Sequence, residues 1–185
     1  VELQEIYTAG IQDVLRPNGE NPYGMMGLRP VDRHKAVVRS DTEEILGVVG
    51  RQYTVAQNWE CFDFLDSIVY SGDAHYHTVG SLWGGRRVWL LALLEGNYTL
   101  DNGEDLEAYI LLDSSHNGSS SLRMRLTTVR VVCGNTLDMA SRGRAGFAAR
   151  HTSGIMSRVA EARELLGLQS TYMQRYMADC NMLAQ

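Results

Sequence analysis

The stretch that most constrains this chain runs from Leu106 to Thr127. Two runs of strand-forming residues, LEAYILLDSS and SSLRMRLT, flank His116–Asn117–Gly118. Asn-Gly supplies the positive φ angles of a tight hairpin turn, so the two runs are read as antiparallel partners. The second run alternates strictly. Leu122, Met124 and Leu126 fall on one face, with Arg123 and Arg125 on the other.

Two more hairpins precede it. HKAVVRSDTEEILGVVGRQYTV carries two β-branched runs about a polar Ser40–Glu44 turn, and AHYHTVGSLW meets RRVWLLALLEG across Gly84–Gly85. Between them, Trp59, Phe62, Leu65, Ile68 and Val69 recur at helical spacing, with Asn58 as the expected N-cap and Gly72 as the stop. Successive hairpins imply an antiparallel sheet. The fold class is therefore α+β: a hairpin-rich sheet with helices packed on one face and a helical C-terminus.

After Thr127 the period changes. Val129, Val132, Cys133, Thr136, Leu137 and Ala140 lie on one helical stripe, with Thr127 or Thr128 as N-cap and Arg130 in the first turn. Residues 141–154 read as a flexible basic loop. Two amphipathic helices follow, at about 154–166 (Ile155, Val159, Ala162 and Leu166 inward) and 171–184 (Met173, Tyr176, Met177, Cys180 and Leu183 inward). Residues 1–33 hold all three prolines and read as an irregular N-terminal segment, with IYTAGIQDVL as a short helix. The expected organisation is this segment, an α+β core over 34–153, and a C-terminal helical segment over 154–185.

The charge is unevenly placed. The chain totals −5, yet residues 119–160 carry seven arginines (123, 125, 130, 142, 144, 150 and 158) against Asp138 alone. Guanidinium forks suit phosphate or carboxylate. Arg123, Arg125, Arg130, Arg142, Arg144 and Arg150, with Arg86 and Arg87 on a second hairpin, are the expected nucleic-acid contacts. An extended polyanion fits their layout better than one small anion. Trp83, Trp89 and Tyr53 could stack bases where exposed.

Other chemistries find less support. Cys133 lies on the apolar stripe and reads as core, and His116 with its serines reads as turn chemistry. His75 and His77 share a strand face, but no spacing supplies a third metal ligand. SLWGGRRVW lacks the spacing of a phosphate loop. No catalytic residue, metal or cofactor is assigned. Cys61, Cys133 and Cys180 are odd in number and widely spaced, and no apolar run reaches the ~18–20 residues of a membrane span. A cytoplasmic location follows as an expectation, with no membrane partner.

Several blocks carry a family resemblance: AVVRSDTEEILGVVGRQYTVAQNWECFDFLD, TVGSLWGGRRVWLLALL, DSSHNGSSSLRMRLTTVRVVCGNTL and RHTSG. Together, over about residues 36–166, they resemble the phage/plasmid-like domain of unknown function DUF932. The resemblance implies a mobile-element setting and assigns no reaction. A hairpin-rich sheet followed by a helix, with a basic seam, is also similar in topology to single-strand annealing proteins of the RecT and Redβ kind. This is fold-level analogy. The leading expectation is a non-catalytic, oligomeric protein that binds or anneals single-stranded DNA in recombination. The alternatives are a mobile-element interaction or inhibitor protein and a metal-dependent nuclease or hydrolase using His75, His77 and acidic residues.

Overall fold

A computed structural model describes residues 3–7, 33–96, 98–103, 105–142, 146–166, 178–179 and 181–182. It is α+β. The principal sheet has five antiparallel strands: β4 (Ala74–Leu82), β5 (Arg87–Leu94), β8 (Tyr109–Ser115), β9 (Leu122–Thr127) and β10 (Phe147–Ala149), in the order β10-β9-β8-β5-β4. A second sheet joins β1 (Leu3–Tyr7), β2 (His34–Arg39) and β3 (Ile45–Gly50), also antiparallel. A two-residue pair, β6 (Tyr98–Thr99) and β7 (Asp105–Leu106), forms the third.

Strand alternation splits the core in two. Leu90, Ala92 and Leu94 of β5, Ile110 and Leu112 of β8, and Leu122 and Met124 of β9 face α1 (Asn58–Tyr70) and α3 (Ile155–Leu166). Trp89, Leu91, Tyr109 and Leu111 point the other way, against Val131 and the short helix α2 (Gly134–Ala140). Each fully buried Leu or Ile here contributes about 1.5–3 kcal/mol. In α1 the buried stripe is Cys61, Leu65 and Ile68, and Trp59 projects into solvent. Burial pushes the Cys61 thiol pKa up to about 12, so it stays protonated in the core.

The three expected hairpins are present, and several local expectations need correction. The helix after β9 does not begin near Thr128. The Thr127 hydroxyl instead accepts the Val129 N–H at 3.1 Å, and the Thr78 hydroxyl donates to the Val131 carbonyl at 2.8 Å. These bonds keep the valines out of the helix, and Val131 is buried while Val132 is exposed. The helix starts at Gly134 with Cys133 as its N-cap. The Thr136 hydroxyl accepts the N–H groups of Val132 and Cys133 at 2.9 and 3.0 Å. Cys133 is therefore exposed and not core, and Arg130 precedes the helix instead of opening it.

The second correction concerns 147–149. FAA is a strand, not part of a loop, because burying Phe147 and Ala149 in alternation closes the β9 edge (Phe147↔Met124, Ala149↔Leu122). The structure also departs from expectation at Ile6 and Tyr7, which lie in β1 paired with Ala36 and Lys35. The rest of the expected 6–15 helix lies outside the described residues. So does most of the expected 171–184 helix, of which 178–179 and 181–182 are helical.

The β4–β5 turn has an unusual backbone. Trp83 lies at φ +52, followed by Gly84 at +70 and Gly85 at +104. The two glycines adopt this region freely, but a bulky L-residue there costs about 1–2 kcal/mol.

Candidate functional site

The β8–β9 connection builds the most distinctive site. A two-residue Asn117–Gly118 turn would pair Asp113 with Leu122. The observed register pairs Asp113 with Arg123 and Leu112 with Met124, leaving a six-residue loop, 116–121. One residue of register decides which face every side chain takes. Here it keeps Leu122 and Met124 in the core and puts Arg123 and Arg125 on the side of Asp113. The Ser115 hydroxyl closes the loop, accepting the Ser120 N–H at 2.7 Å and donating to the Ser120 carbonyl at 2.8 Å. Gly118, at φ +77, makes the turn.

This loop borders an open pocket of about 540 Å³, lined by Gln52 and Tyr53, Gly118 to Ser121, Arg123, and Arg150 to Thr152. Among the described residues, two arginines and three serines face it and no acidic residue does, in a chain of net charge −5. Tyr53 and His151 form its wall. Their rings stack at 4.7 Å with 12° between planes, and the Tyr53 hydroxyl donates to the Ser115 carbonyl at 2.9 Å. His151 Nε2 lies 3.2 Å from Ser114 Oγ. Its Nδ1 has no hydrogen-bond partner although the residue is buried.

A second buried imidazole stands behind the wall. His116 Nε2 donates to Asn58 Oδ1 at 2.8 Å, and His116 Nδ1 is likewise unpartnered. Asn58 is thus not the N-cap of α1; its side chain is turned to His116, and Glu60 reaches back to the Gln57 N–H at 2.9 Å. Burial lowers the pKa of both imidazoles, with mutual repulsion adding to the effect on His116, which falls to about 4. Both are neutral at neutral pH.

The eight arginines expected to bind phosphate divide by environment. Arg123 and Arg150 meet at the pocket, because β9–β10 pairing places Arg123 opposite Ala148 and Arg150 just beyond the last pair. Arg125 is 4 % exposed; it donates to the Ser141 carbonyl at 2.6 Å and lies 3.7 Å from Asp113. Arg87 contacts Asp113 at 3.2 Å, Asp138 at 3.1 Å and the Ser141 hydroxyl at 3.1 Å. These two tie β5, β8, β9 and α2 together beneath the surface. Arg86, Arg130 and Arg142 are exposed but not at the pocket, and Arg144 lies outside the described residues.

Other sequence candidates are dispersed. His75 and His77 do not act as a pair: a bulge between Tyr76 and Thr78 offsets them. His75 Nδ1 contacts Glu95 at 2.7 Å, while His77 packs edge-on against Tyr109. Among the described residues, no three His, Cys, Asp or Glu side chains gather as a metal-ligand group. Also among them, no helix is long and apolar enough to cross a membrane. Of the aromatics, Trp89 is buried, Tyr53 is half-buried and Trp83 is exposed.

The sequence reading assigned the 116–121 segment to turn chemistry and missed its pocket. The signal was present: three serines beside Arg123, and a second basic block at Arg150–His151. Nothing in the sequence shows that these two blocks and Tyr53 meet, since β10 brings them together through space. No curated protein and no solved structure matches the chain. A family described as a domain of unknown function does match, over residues 45–185, well over half the chain. Tyr53, the serine loop and Arg150–Thr152 all fall within that span, and on this match the chain belongs to the DUF932 family.

Proposed function

We propose that the chain binds single-stranded nucleic acid without cutting it, through backbone phosphates seated at the Arg123–Arg150 pocket. One observation carries this reading. An acidic chain builds an open pocket with two guanidinium groups, three serine hydroxyls and, among the described residues, no carboxylate. Arginine forks and hydroxyls are the usual phosphate contacts, and such contacts position a strand without reading its sequence.

The non-catalytic part rests on the surrounding groups. Ser114 is buried beside His151, Cys61 is buried and protonated, and Cys133 sits against Thr136, with no described imidazole hydrogen-bonded to it. A nucleophile needs reach and a base within hydrogen-bonding distance. The specific version of the proposal is strand annealing by an oligomer in the recombination of a phage or plasmid.

The test is fluorescence anisotropy of a labelled single strand, titrated at several salt concentrations. Affinity falls with salt. Each of Arg123→Ala and Arg150→Ala weakens binding and reduces the log–log salt slope by about 0.7, the value for one single-strand phosphate contact. Salt-independent affinity, or no binding at low salt, overturns the proposal.

A second reading, a protein-interaction module, draws on β3. It is an edge strand among the described residues, and Ile45 and Val48 are each more than half exposed on it. Unpaired backbone groups with apolar side chains favour strand addition by a partner or a second copy. Val48→Lys then lowers the mass measured by light scattering, while an unchanged mass removes this reading.

A further inference from the structure

We infer that Trp83 is a stacking platform for a nucleobase of the strand whose phosphate occupies the Arg123–Arg150 pocket. The inference rests on the preceding proposal and adds the recognition of bases to that of phosphates.

The backbone supplies the first reason. Trp83 and Glu43 are the described non-glycine residues with positive φ, and Trp83 is the bulkier. Glycine or asparagine would meet the same turn geometry without strain. Burial does not offset that strain, because Trp83 is 64 % exposed and its turn contains no buried residue. Strained residues of this sort persist where surrounding structure holds them and cluster at sites of function.

The surroundings do hold it. Arg39, itself braced by Asp41 at 2.8 Å, donates to the Gly84 carbonyl at 2.8 Å. The Arg86 carbonyl accepts the His116 N–H at 2.8 Å, so the Trp83 turn is bonded directly to the start of the pocket loop. The same end of the molecule is closed by the β2–β3 hairpin, where Gly47 lies so close to Asn117 that an added Cβ would sit 2.5 Å from its Cα. The indole is thus carried on a braced turn that is hydrogen-bonded to His116, where the pocket loop begins.

Charge supplies the second reason. Arg86 follows in the same turn; it is exposed and forms no ion pair among the described residues, while the Glu44 carboxylate that lies against Gly84 faces Arg39. An exposed aromatic face on the same turn as an exposed guanidinium complements a nucleotide, whose base is a π-surface and whose phosphate is an anion. The other two tryptophans do not share this setting. Trp89 is buried against Gly80, and Trp59 lies on the regular helix α1.

The experiment compares a short oligo(dT) strand with an abasic strand of equal length, using Trp59→Phe protein so that Trp83 is the exposed emitter among the described tryptophans. Oligo(dT) quenches Trp83 emission and binds roughly ten-fold more tightly than the abasic strand, as expected from loss of stacking. Trp83→Ala removes this preference and leaves the salt slope unchanged. Trp83→Gly likewise loses the preference while its urea midpoint rises, because strain is relieved. Equal binding of both strands with unchanged Trp83 emission overturns the inference and leaves the phosphate reading standing. Failure of both strands to bind at low salt overturns both readings. A lowered midpoint in Trp83→Gly also overturns the inference, since the indole would then be a packing element.

Discussion

Acidification should expose the cost of burying His116. The residue is 1 % exposed, and its imidazole spends Nε2–H on Asn58 and leaves Nδ1 bare. No described carboxylate forms an ion pair with it, and its charged neighbour on protonation would be His151. Its pKa falls from the ordinary 6.5 to about 4 in the fold. Above pH 6.5 both folded and unfolded chains carry neutral imidazole, and stability is whole. As the pH falls from 6.5 towards 4, the unfolded chain takes up a proton that the folded chain refuses. Stability therefore drops over that window and levels off below it. The full loss is about 3 kcal/mol, of which about 2 kcal/mol has gone at pH 5. His151 is shifted in the same direction and adds to the trend. The assay is urea unfolding at pH 7 and pH 5 for the native sequence and for His116→Gln, which retains a donor for Asn58 but cannot titrate. The variant should begin less stable and lose about 2 kcal/mol less between the two pH values. Equal losses in both proteins would refute the argument, since His116 would then titrate normally within the fold.

Three further outcomes follow from the same geometry. Asp113 is fully buried against Arg87 and Arg125; Asp113→Asn leaves Arg87 with Asp138 but takes the carboxylate from buried Arg125, and should cost about 3–5 kcal/mol, read as a lowered urea midpoint. Gly80→Ala places a methyl 2.2 Å from the Trp89 ring, which overpacks the sheet by about 1–3 kcal/mol and alters the near-ultraviolet dichroism of that indole. Thr136→Val removes the Thr136 half of the α2 capping box at a cost of about 1 kcal/mol. The Thr136 hydroxyl also holds the Cys133 thiol pKa below its ordinary value, so alkylation of Cys133, followed by mass spectrometry, should shift to higher pH in this variant.

Local patterns determined a large part of this protein. The alternation Leu122–Arg123–Met124–Arg125–Leu126 placed three side chains inward because a strand has a period of two. Gly72 ended α1, and Gly84–Gly85 turned a hairpin, because each adopts positive φ. The basic block after Ser119 was visible as composition alone. Tertiary structure decided the rest. Helical periodicity after Thr127 yielded to hydroxyl–backbone bonds from Thr78, Thr127 and Thr136, two of them local and one across space. Arg123 and Arg125, two residues apart on one strand face, were sent to different fates. Asp113 and the Ser141 carbonyl hold Arg125 inside, while Arg123 lines the pocket. The pocket itself needs Tyr53, the serine loop and Arg150, separated by up to about a hundred residues. Periodicity reports the face a side chain takes on its own element, but not which distant element will lie across from it, because that depends on sheet order and register.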